Sequence, residues 1–151
     1  VYKVSVKGAQ YNVIVGLNND EPYEVMVACG DHPELNKIKA GVLRKKNRGH
    51  YQLLINDEII IENVTESCNP GEDALTRMTS AALRHGVPLK FLLEQLSKSK
   101  DSINSFAKAI SRCLKKYVPE DEVSNVECPN CSAAMRFTEG CLSCVCGYSK
   151  C

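Results

Sequence analysis

The sequence predicts an α+β protein: a small antiparallel sheet packed with about three helices, followed by a C-terminal zinc ribbon. Three observations support this prediction. Residues 1–65 contain short apolar runs separated by turn residues, and the first run, residues 2–7, alternates between apolar and polar side chains with the two-residue period of a half-buried strand. Residues 69–117 instead carry apolar side chains at helical spacing. Finally, six of the nine cysteines lie within residues 128–151, at spacings typical of metal ligands.

Turn residues divide the first 65 residues into six predicted strands. The predicted strands are residues 2–6, 11–15, 23–27, 42–46, 51–55 and 59–61. Gly8 interrupts the first run, and residues 17–22 and 47–50 have the composition of hairpin turns. Residues 30–40 combine glycine, proline and mixed polarity, which indicates a loop or one short helical turn. We therefore expect the second and third strands to form an antiparallel hairpin.

Three helices are predicted in residues 69–117. Asn69, which is followed by proline, glycine and two acidic residues, is typical of a helix N-cap, and Gly86 ends this first helix. Pro88 suits the first turn of a second helix. Ser102 is predicted to cap a third helix that is apolar on one side and cationic on the other. The cations are Lys108, Arg112, Lys115 and Lys116.

The chain divides into three predicted segments. Residues 1–117 form the α+β body, and residues 127–151 form the zinc ribbon with the terminal cysteines. Residues 118–126 are acidic, contain one proline and lack apolar periodicity, so we interpret them as a linker. The N-terminus lacks both an initiator Met and a signal-peptide pattern, which indicates a fragment of something longer.

Composition and charge argue against several classes of protein. Hydrophobic residues make up 44% of the chain and charged residues 25%, which is typical of globular domains. A net charge of +1 provides no general attraction to nucleic acid or to anionic membranes. No window approaches the roughly 18 apolar residues of a membrane span. Most cysteines are crowded at metal-like spacing, which favours a reducing, cytoplasmic setting over a secreted disulfide scaffold.

Two Cys-x-x-Cys motifs predict the zinc site. A tight turn of this kind offers two thiolates, and tetrahedral zinc needs two such turns. The motifs are Cys128-Pro-Asn-Cys131 and Cys141-Leu-Ser-Cys144, joined by a predicted hairpin with its turn at residues 139–140. Spacing selects these four cysteines over a knuckle made of Cys144 and Cys146, which only one residue separates. A reduced tail without metal is the alternative, but it would have almost no core.

Cys146 and Cys151 remain outside this predicted zinc site. A flexible glycine lies between them, so the two thiols can close a disulfide without much strain. Lys150 beside Cys151 favours the thiolate, which is the form that attacks disulfides. We interpret the two cysteines as a mobile redox pair, and spare thiols or substitute zinc ligands remain the alternative.

Three stretches of the chain resemble the C-terminal region of one enzyme family. They are the ending Cys141…Cys144…Cys146-Gly-Tyr-Ser-Lys-Cys151, residues 68–88 and residues 105–117. Together they resemble the adenosylcobalamin-dependent (class II) ribonucleotide reductases, whose segment before the tail is called a TSCPD domain. The resemblance covers the whole chain. It departs from the family where only Val145 separates the last two cysteines of the cluster, because the family has two residues there.

The resemblance implies a role in deoxyribonucleotide synthesis. In the family, the final cysteine pair re-reduces the active-site disulfide formed at each turnover, and thioredoxin or a glutaredoxin-like donor then reduces the pair. By position, this role falls to Cys146 and Cys151. Zinc would be structural, and adenosylcobalamin would belong to the parent catalytic part. The family's catalytic barrel cannot fit into 151 residues, so the chain alone should not reduce nucleotides and should act with such a barrel.

The alternative function is a zinc-ribbon module that binds nucleic acid or protein and has no redox role. The basic face of the third helix and residues 44–48 could contact phosphates. The ribbon itself carries only Arg136 and Lys150 as cations. We therefore favour solvated charged faces over a nucleic-acid interface.

The remaining cysteines and histidines lack the spacing of metal ligands. Cys29 and Cys113 are predicted to fill the core, and Cys68 is predicted to be an ordinary residue near a helix start. The histidines are predicted to be surface or capping residues, and they are His32, His50 and His85.

Overall fold

Within the described residues, the first six strands form two antiparallel sheets in the computed structural model. The first sheet contains β1 (Tyr2–Val6), β2 (Ala9–Asn18) and β3 (Glu21–Cys29), in the order β1-β2-β3. The second contains β4 (Val42–Asn47), β5 (His50–Ile55) and β6 (Glu58–Ile61), in the order β4-β5-β6. A short 3-10 helix spans Pro33–Leu35. All six strands were predicted from the sequence, and they are confirmed.

The structure describes most of the chain. The described residues are 1–30, 32–35, 38, 40–64, 69–98, 105–119, 122–139 and 141–151. Cys68, the predicted helix cap Ser102 and the predicted turn residue Gly140 lie outside them.

Tight turns with left-handed backbone join neighbouring strands. Lys7 and Gly8 have φ angles of 50° and 85° between β1 and β2, and Asn19 and Asp20 have φ angles of 51° and 65° between β2 and β3. Positive φ at both central residues defines the type I′ turn, whose twist matches that of the flanking strands. The turn residues of these two hairpins therefore adopt the backbone conformation that a tight antiparallel connection requires.

The first sheet is apolar on both faces and lies between the helices and the second sheet. Val13 and Val25 belong to the core cluster that includes the helices. Their neighbours along the strands, Ile14 and Met26, belong to a second cluster that includes Leu53 of β5. Because successive residues of a strand point to opposite faces, the two clusters lie on opposite sides of one sheet.

Three helices follow within the described residues: α1 (Pro70–Arg84), α2 (Leu89–Ser97) and α3 (Phe106–Lys115). Asn69 caps α1 as predicted, because its side chain accepts a hydrogen bond from the Glu72 N–H at 3.0 Å. The third helix begins later than predicted, since Ser105 is its N-cap. Phe106, the first residue of α3, packs against the ring of Tyr11 in β2, with the ring centroids 5.3 Å apart. The helix therefore begins where its first side chain contacts the sheet. None of the described helices is both long and apolar enough to cross a membrane.

Ser80 connects α1 to β3, the last strand of the first sheet. Its hydroxyl donates to the Val25 carbonyl at 2.8 Å and accepts from the Val25 N–H at 2.9 Å. Both hydrogen bonds are buried, so the Ser80 side chain satisfies the N–H and the carbonyl of Val25, which water does not reach.

A further antiparallel sheet forms the C-terminal unit, with strand order β10-β9-β8-β7. Its strands are β7 (Val123–Glu127), β8 (Ala134–Thr138), β9 (Cys141–Ser143) and β10 (Ser149–Lys150). Strand β7 begins inside residues 118–126, which were predicted to be a linker, because Val123 pairs with Arg136 of β8. Val118 is also buried in the core that includes the helices. The described residues of this segment thus include a buried side chain and the start of a strand.

The C-terminal unit packs against the body. Met135, Phe137 and Leu142 lie in the same core cluster as residues of α2 and α3. At the edge of this contact, the Asn125 side-chain amide donates to a Glu94 carboxylate oxygen at 2.9 Å. The unit is thus attached by buried apolar side chains as well as by the chain itself.

Candidate metal centre and C-terminal disulfide

Four cysteine thiols meet at one end of the C-terminal sheet. The Sγ atoms of Cys128, Cys131, Cys144 and Cys146 all lie within 4.8 Å of one another. The Cys128 and Cys146 sulfurs are 3.5 Å apart, and the Cys131 and Cys144 sulfurs are 3.3 Å apart. Four sulfurs bound to zinc at about 2.3 Å would be separated by about 3.8 Å. The donor set and its spacing therefore fit a tetrahedral zinc ion.

Two tight turns present these thiols in pairs. In the first turn, the Ser132 N–H donates to the Cys128 carbonyl at 2.8 Å, and Cys128 is followed by Cys131 within that turn. In the second, the Gly147 N–H donates to the Cys144 carbonyl at 2.9 Å, and this turn holds Cys144 and Cys146. Gly147 has a φ of 91°, a conformation that glycine adopts without steric cost.

The thiols influence one another's ionisation. Burial raises the pKa of Cys128, but hydrogen bonds from the backbone N–H groups of Asn130 and Cys131, together with those from the thiols of Cys146 and Cys144, outweigh it and bring this pKa to about 7. Backbone N–H groups act in the same direction on Cys144 and Cys146, but burial and the neighbouring thiols outweigh them, so both pKa values are raised. The Cys128 thiolate thus forms readily, and its negative charge keeps the Cys144 and Cys146 thiols protonated. A divalent cation would displace the protons from these two thiols.

The grouping of the cysteines differs from the predicted one at two positions. Cys128, Cys131 and Cys144 come together as predicted, but Cys146 rather than Cys141 is the fourth member of the cluster. Cys141 instead forms a disulfide with Cys151. The structure therefore does not pair Cys146 with Cys151.

Strand register explains why Cys146, and not Cys141, belongs to the cluster. Cys141 is paired with Thr138, at the end of β8 that leads into the β8–β9 turn. The first cysteine turn lies at the opposite end of β8, beside Ala134. Four residues of a strand cover about 13 Å, so Cys141 cannot share a site with that turn. Lys150 is paired with Leu142 in the β9–β10 hairpin, and the next residue outward on each strand brings Cys151 beside Cys141.

The Cys141–Cys151 disulfide lies at the surface, at one end of the β9–β10 hairpin. Its Cα atoms are 4.3 Å apart, and Cys151 is exposed while Cys141 is half-buried. Counting residues symmetrically about the turn at Cys146 was the sequence signal that could have revealed this pair.

Two cysteines and two histidines outside the cluster have identifiable positions in the fold. Cys113 is buried in the core as predicted, and burial raises the pKa of its thiol to about 11. Cys29 is half-buried and disulfide-bonded, so it does more than fill the core. His85 is the C-cap residue of α1, and the His50 ring nitrogen lies 2.8 Å from the Glu62 carbonyl.

The fold and the four-cysteine cluster define an α+β domain with a C-terminal unit of zinc-ribbon type. Residues 1–119 match the family described as NrdJ homologue C-terminal domain, and the chain belongs to that family. This match supports the predicted relation to the C-terminal region of class II, B12-dependent ribonucleotide reductases. It ends before β7, so the cysteine cluster and the Cys141–Cys151 disulfide lie outside it. No curated protein and no solved structure matches the chain.

Proposed function

We propose that this chain is the C-terminal portion, or a separate subunit, of a B12-dependent ribonucleoside-diphosphate reductase, and that its last cysteines carry reducing equivalents to the active site. The family of the body supports the link to such a reductase. The observation that carries the redox role is the disulfide between Cys141 and Cys151, of which Cys151 is exposed and directly follows a strand of only two residues. The body would be of the TSCPD type, and the catalytic barrel would be its partner.

The redox pair in this proposal is Cys141 and Cys151. Cys146 and Cys151 were predicted for this role from the sequence, but the Cys146 sulfur lies 3.5 Å from that of Cys128, inside the four-thiol cluster. A thiolate that binds zinc is held in place and is less available for disulfide exchange. The geometry therefore favours assigning the shuttle to the two cysteines that are already joined.

Zinc would hold the C-terminal unit together. Cys128, Cys131, Cys144 and Cys146 would be its ligands, and a closed site of four thiolates is structural rather than catalytic. Bound zinc would contribute charge neutralisation and folding free energy to a unit with a small core. The cysteine turns would then keep β9 and β10 in register, which places Cys151 beside Cys141.

The exchange requires two steps. In the reduced pair, one thiolate attacks a sulfur of the active-site disulfide, which forms a mixed disulfide and releases one active-site thiolate. The second cysteine of the pair then attacks the mixed disulfide, closing the bond between Cys141 and Cys151 and releasing the other active-site thiolate. Two electrons and two protons pass from the pair to the active site. Thioredoxin or a glutaredoxin-like protein would supply them again.

A turnover assay tests this proposal. The chain is combined with the catalytic part of a class II reductase that lacks its own C-terminal cysteines, together with thioredoxin and its reductase. Multiple turnovers are expected with the wild-type chain, and Cys151→Ser and Cys141→Ser should each stop the reaction after the first turnover. Normal turnover with Cys141→Ser would refute the assignment to Cys141, and normal turnover with Cys151→Ser would refute the shuttle itself.

A further inference from the structure

A cationic cavity of about 240 Å³ lies between the β4–β5 hairpin and helix α1, with β3 as its wall. Four basic side chains line it: Lys45 and Arg48 from the hairpin, and Arg77 and Arg84 from α1. All of the residues that line this cavity lie between Val25 and Arg84. The cavity is therefore separate from the cysteine cluster and from the proposed redox pair.

Acidic partners neutralise only half of this charge. The Arg77 guanidinium is 2.8 Å from the Asp73 carboxylate, and Arg84 pairs with Glu24. Lys45 and Arg48 have no acidic partner within the part of the chain that the structure describes. The described residues thus leave an excess of about two positive charges on the exposed side chains of Lys45 and Arg48, where a dissolved anion can reach them.

Two of the three hydroxyl side chains that line the cavity, those of Ser80 and Thr76, already donate within the fold. Ser80 donates to the Val25 carbonyl, and Thr76 donates to the Asp73 carbonyl at 2.9 Å. The donors that remain for a ligand are chiefly the charged groups of the basic side chains. A ligand of this cavity is therefore selected by negative charge rather than by neutral hydrogen bonding.

From this arrangement we infer that the cavity binds the phosphate group of a small molecule, either free phosphate or a small phosphate monoester. A phosphate monoester carries about −1.5 to −2 charges at pH 7, which matches the excess charge of Lys45 and Arg48. The planar guanidinium of Arg48 can form two parallel hydrogen bonds to phosphate oxygens. A volume of about 240 Å³ equals about eight water molecules, which suits a phosphate with a small substituent.

The geometry of residues 44–48 argues against a nucleic-acid strand as the ligand. Arg44 and Lys45 are consecutive residues in regular pairing with β5, so their side chains point to opposite faces, and Lys45 lines the cavity while Arg44 does not. Lys46, where the register shifts, lies 2.9 Å from Glu62, which is not part of the cavity lining. The basic run is therefore divided between two faces and does not form one continuous track for a phosphate backbone.

Nuclear magnetic resonance titration of the full chain tests this inference. Inorganic phosphate, glycerol 3-phosphate and the dicarboxylate succinate are added separately at constant ionic strength. Phosphate and glycerol 3-phosphate should cause saturable shifts in the amides of the β4–β5 turn and of α1, and succinate should bind more weakly. Arg48→Gln and Lys45→Gln should each weaken phosphate binding by about ten- to a hundredfold. Arg44→Gln is the matched control, because it removes the same charge from the opposite face of β4 and should have little effect.

Four results would overturn the inference. The first is the absence of any saturable response to phosphate in the wild-type chain. The second is an equal loss of affinity in Arg44→Gln and Arg48→Gln, which would indicate diffuse attraction. The third is tighter binding of succinate than of phosphate. The fourth is oligonucleotide binding that exceeds phosphate binding and depends equally on both arginines. Since the cavity contains no cysteine, each result is independent of the turnover assay.

Discussion

The sulfurs of Cys128 and Cys146 lie 3.5 Å apart, although the two cysteines are 18 positions apart in the sequence. They follow different strands, since Cys128 comes directly after β7 and Cys146 lies between β9 and β10. Their approach depends on the pairing of β7 with β8 and of β8 with β9. The candidate metal centre is therefore a product of sheet register, and its occupancy can be tested position by position.

Zinc affinity should distinguish Cys146 from Cys141. The wild-type chain should bind about one zinc ion, and Cys146→Ser should weaken binding by about a hundredfold because one of four thiolates is lost. Cys141→Ser is the matched control and should retain wild-type affinity. Competition with a chromogenic chelator, under conditions that keep thiols reduced, measures both constants. If Cys141→Ser loses zinc and Cys146→Ser keeps it, the partition predicted from the sequence is right and the observed grouping is not the metal-bound one.

Removal of a buried side chain in the C-terminal unit should destabilise the body as well. Met135 is fully buried in the cluster that includes α2 and α3, so Met135→Ala should lower the free energy of unfolding by about 2–5 kcal/mol. Met78→Ala makes the same change at a residue that is 68% exposed, and it should cost less than about 0.5 kcal/mol. Urea unfolding measures both values. Hydrogen exchange that speeds up only in residues 122–151 of Met135→Ala would show that the C-terminal unit folds independently of the body.

Alkaline pH should destabilise the protein partly through Cys113. Burial raises the pKa of this thiol from its ordinary value of 9.0 to about 11, although Lys116 and Arg112 oppose the shift. Between these values the unfolded chain loses a proton that the folded chain keeps, so stability falls as the pH rises. The loss should amount to about 2–3 kcal/mol between about pH 9 and pH 11.

Comparison with Cys113→Ala isolates this contribution, because other groups also titrate at alkaline pH. The variant should be less stable at neutral pH, owing to the cavity it creates, but its stability should fall less steeply above about pH 9. Urea unfolding at a series of pH values gives both profiles. Parallel profiles for the wild type and the variant would mean that Cys113 does not titrate on unfolding in this range.

Local sequence patterns predicted most of the secondary structure. Short apolar runs marked all six strands of the body, and turn residues such as Asn19 and Asp20 marked where the chain reverses. The cap of α1 at Asn69 was also predictable, because a cap is a contact between residues three positions apart. The start of α3 was not, since serine occurs at both 102 and 105 and the contact of Phe106 with Tyr11 joins residues that are distant in the sequence.

The candidate site divides in the same way. The sequence by itself determined that a cysteine-rich unit follows an α+β body and that Cys128 and Cys131 share one turn, because such a turn is a short-range feature. Only the tertiary structure decided between Cys141 and Cys146, and only it joined Cys141 to Cys151. The physical reason is that spacing along the chain limits which thiols can share one turn, whereas the register of paired strands decides which turns and chain ends meet in space.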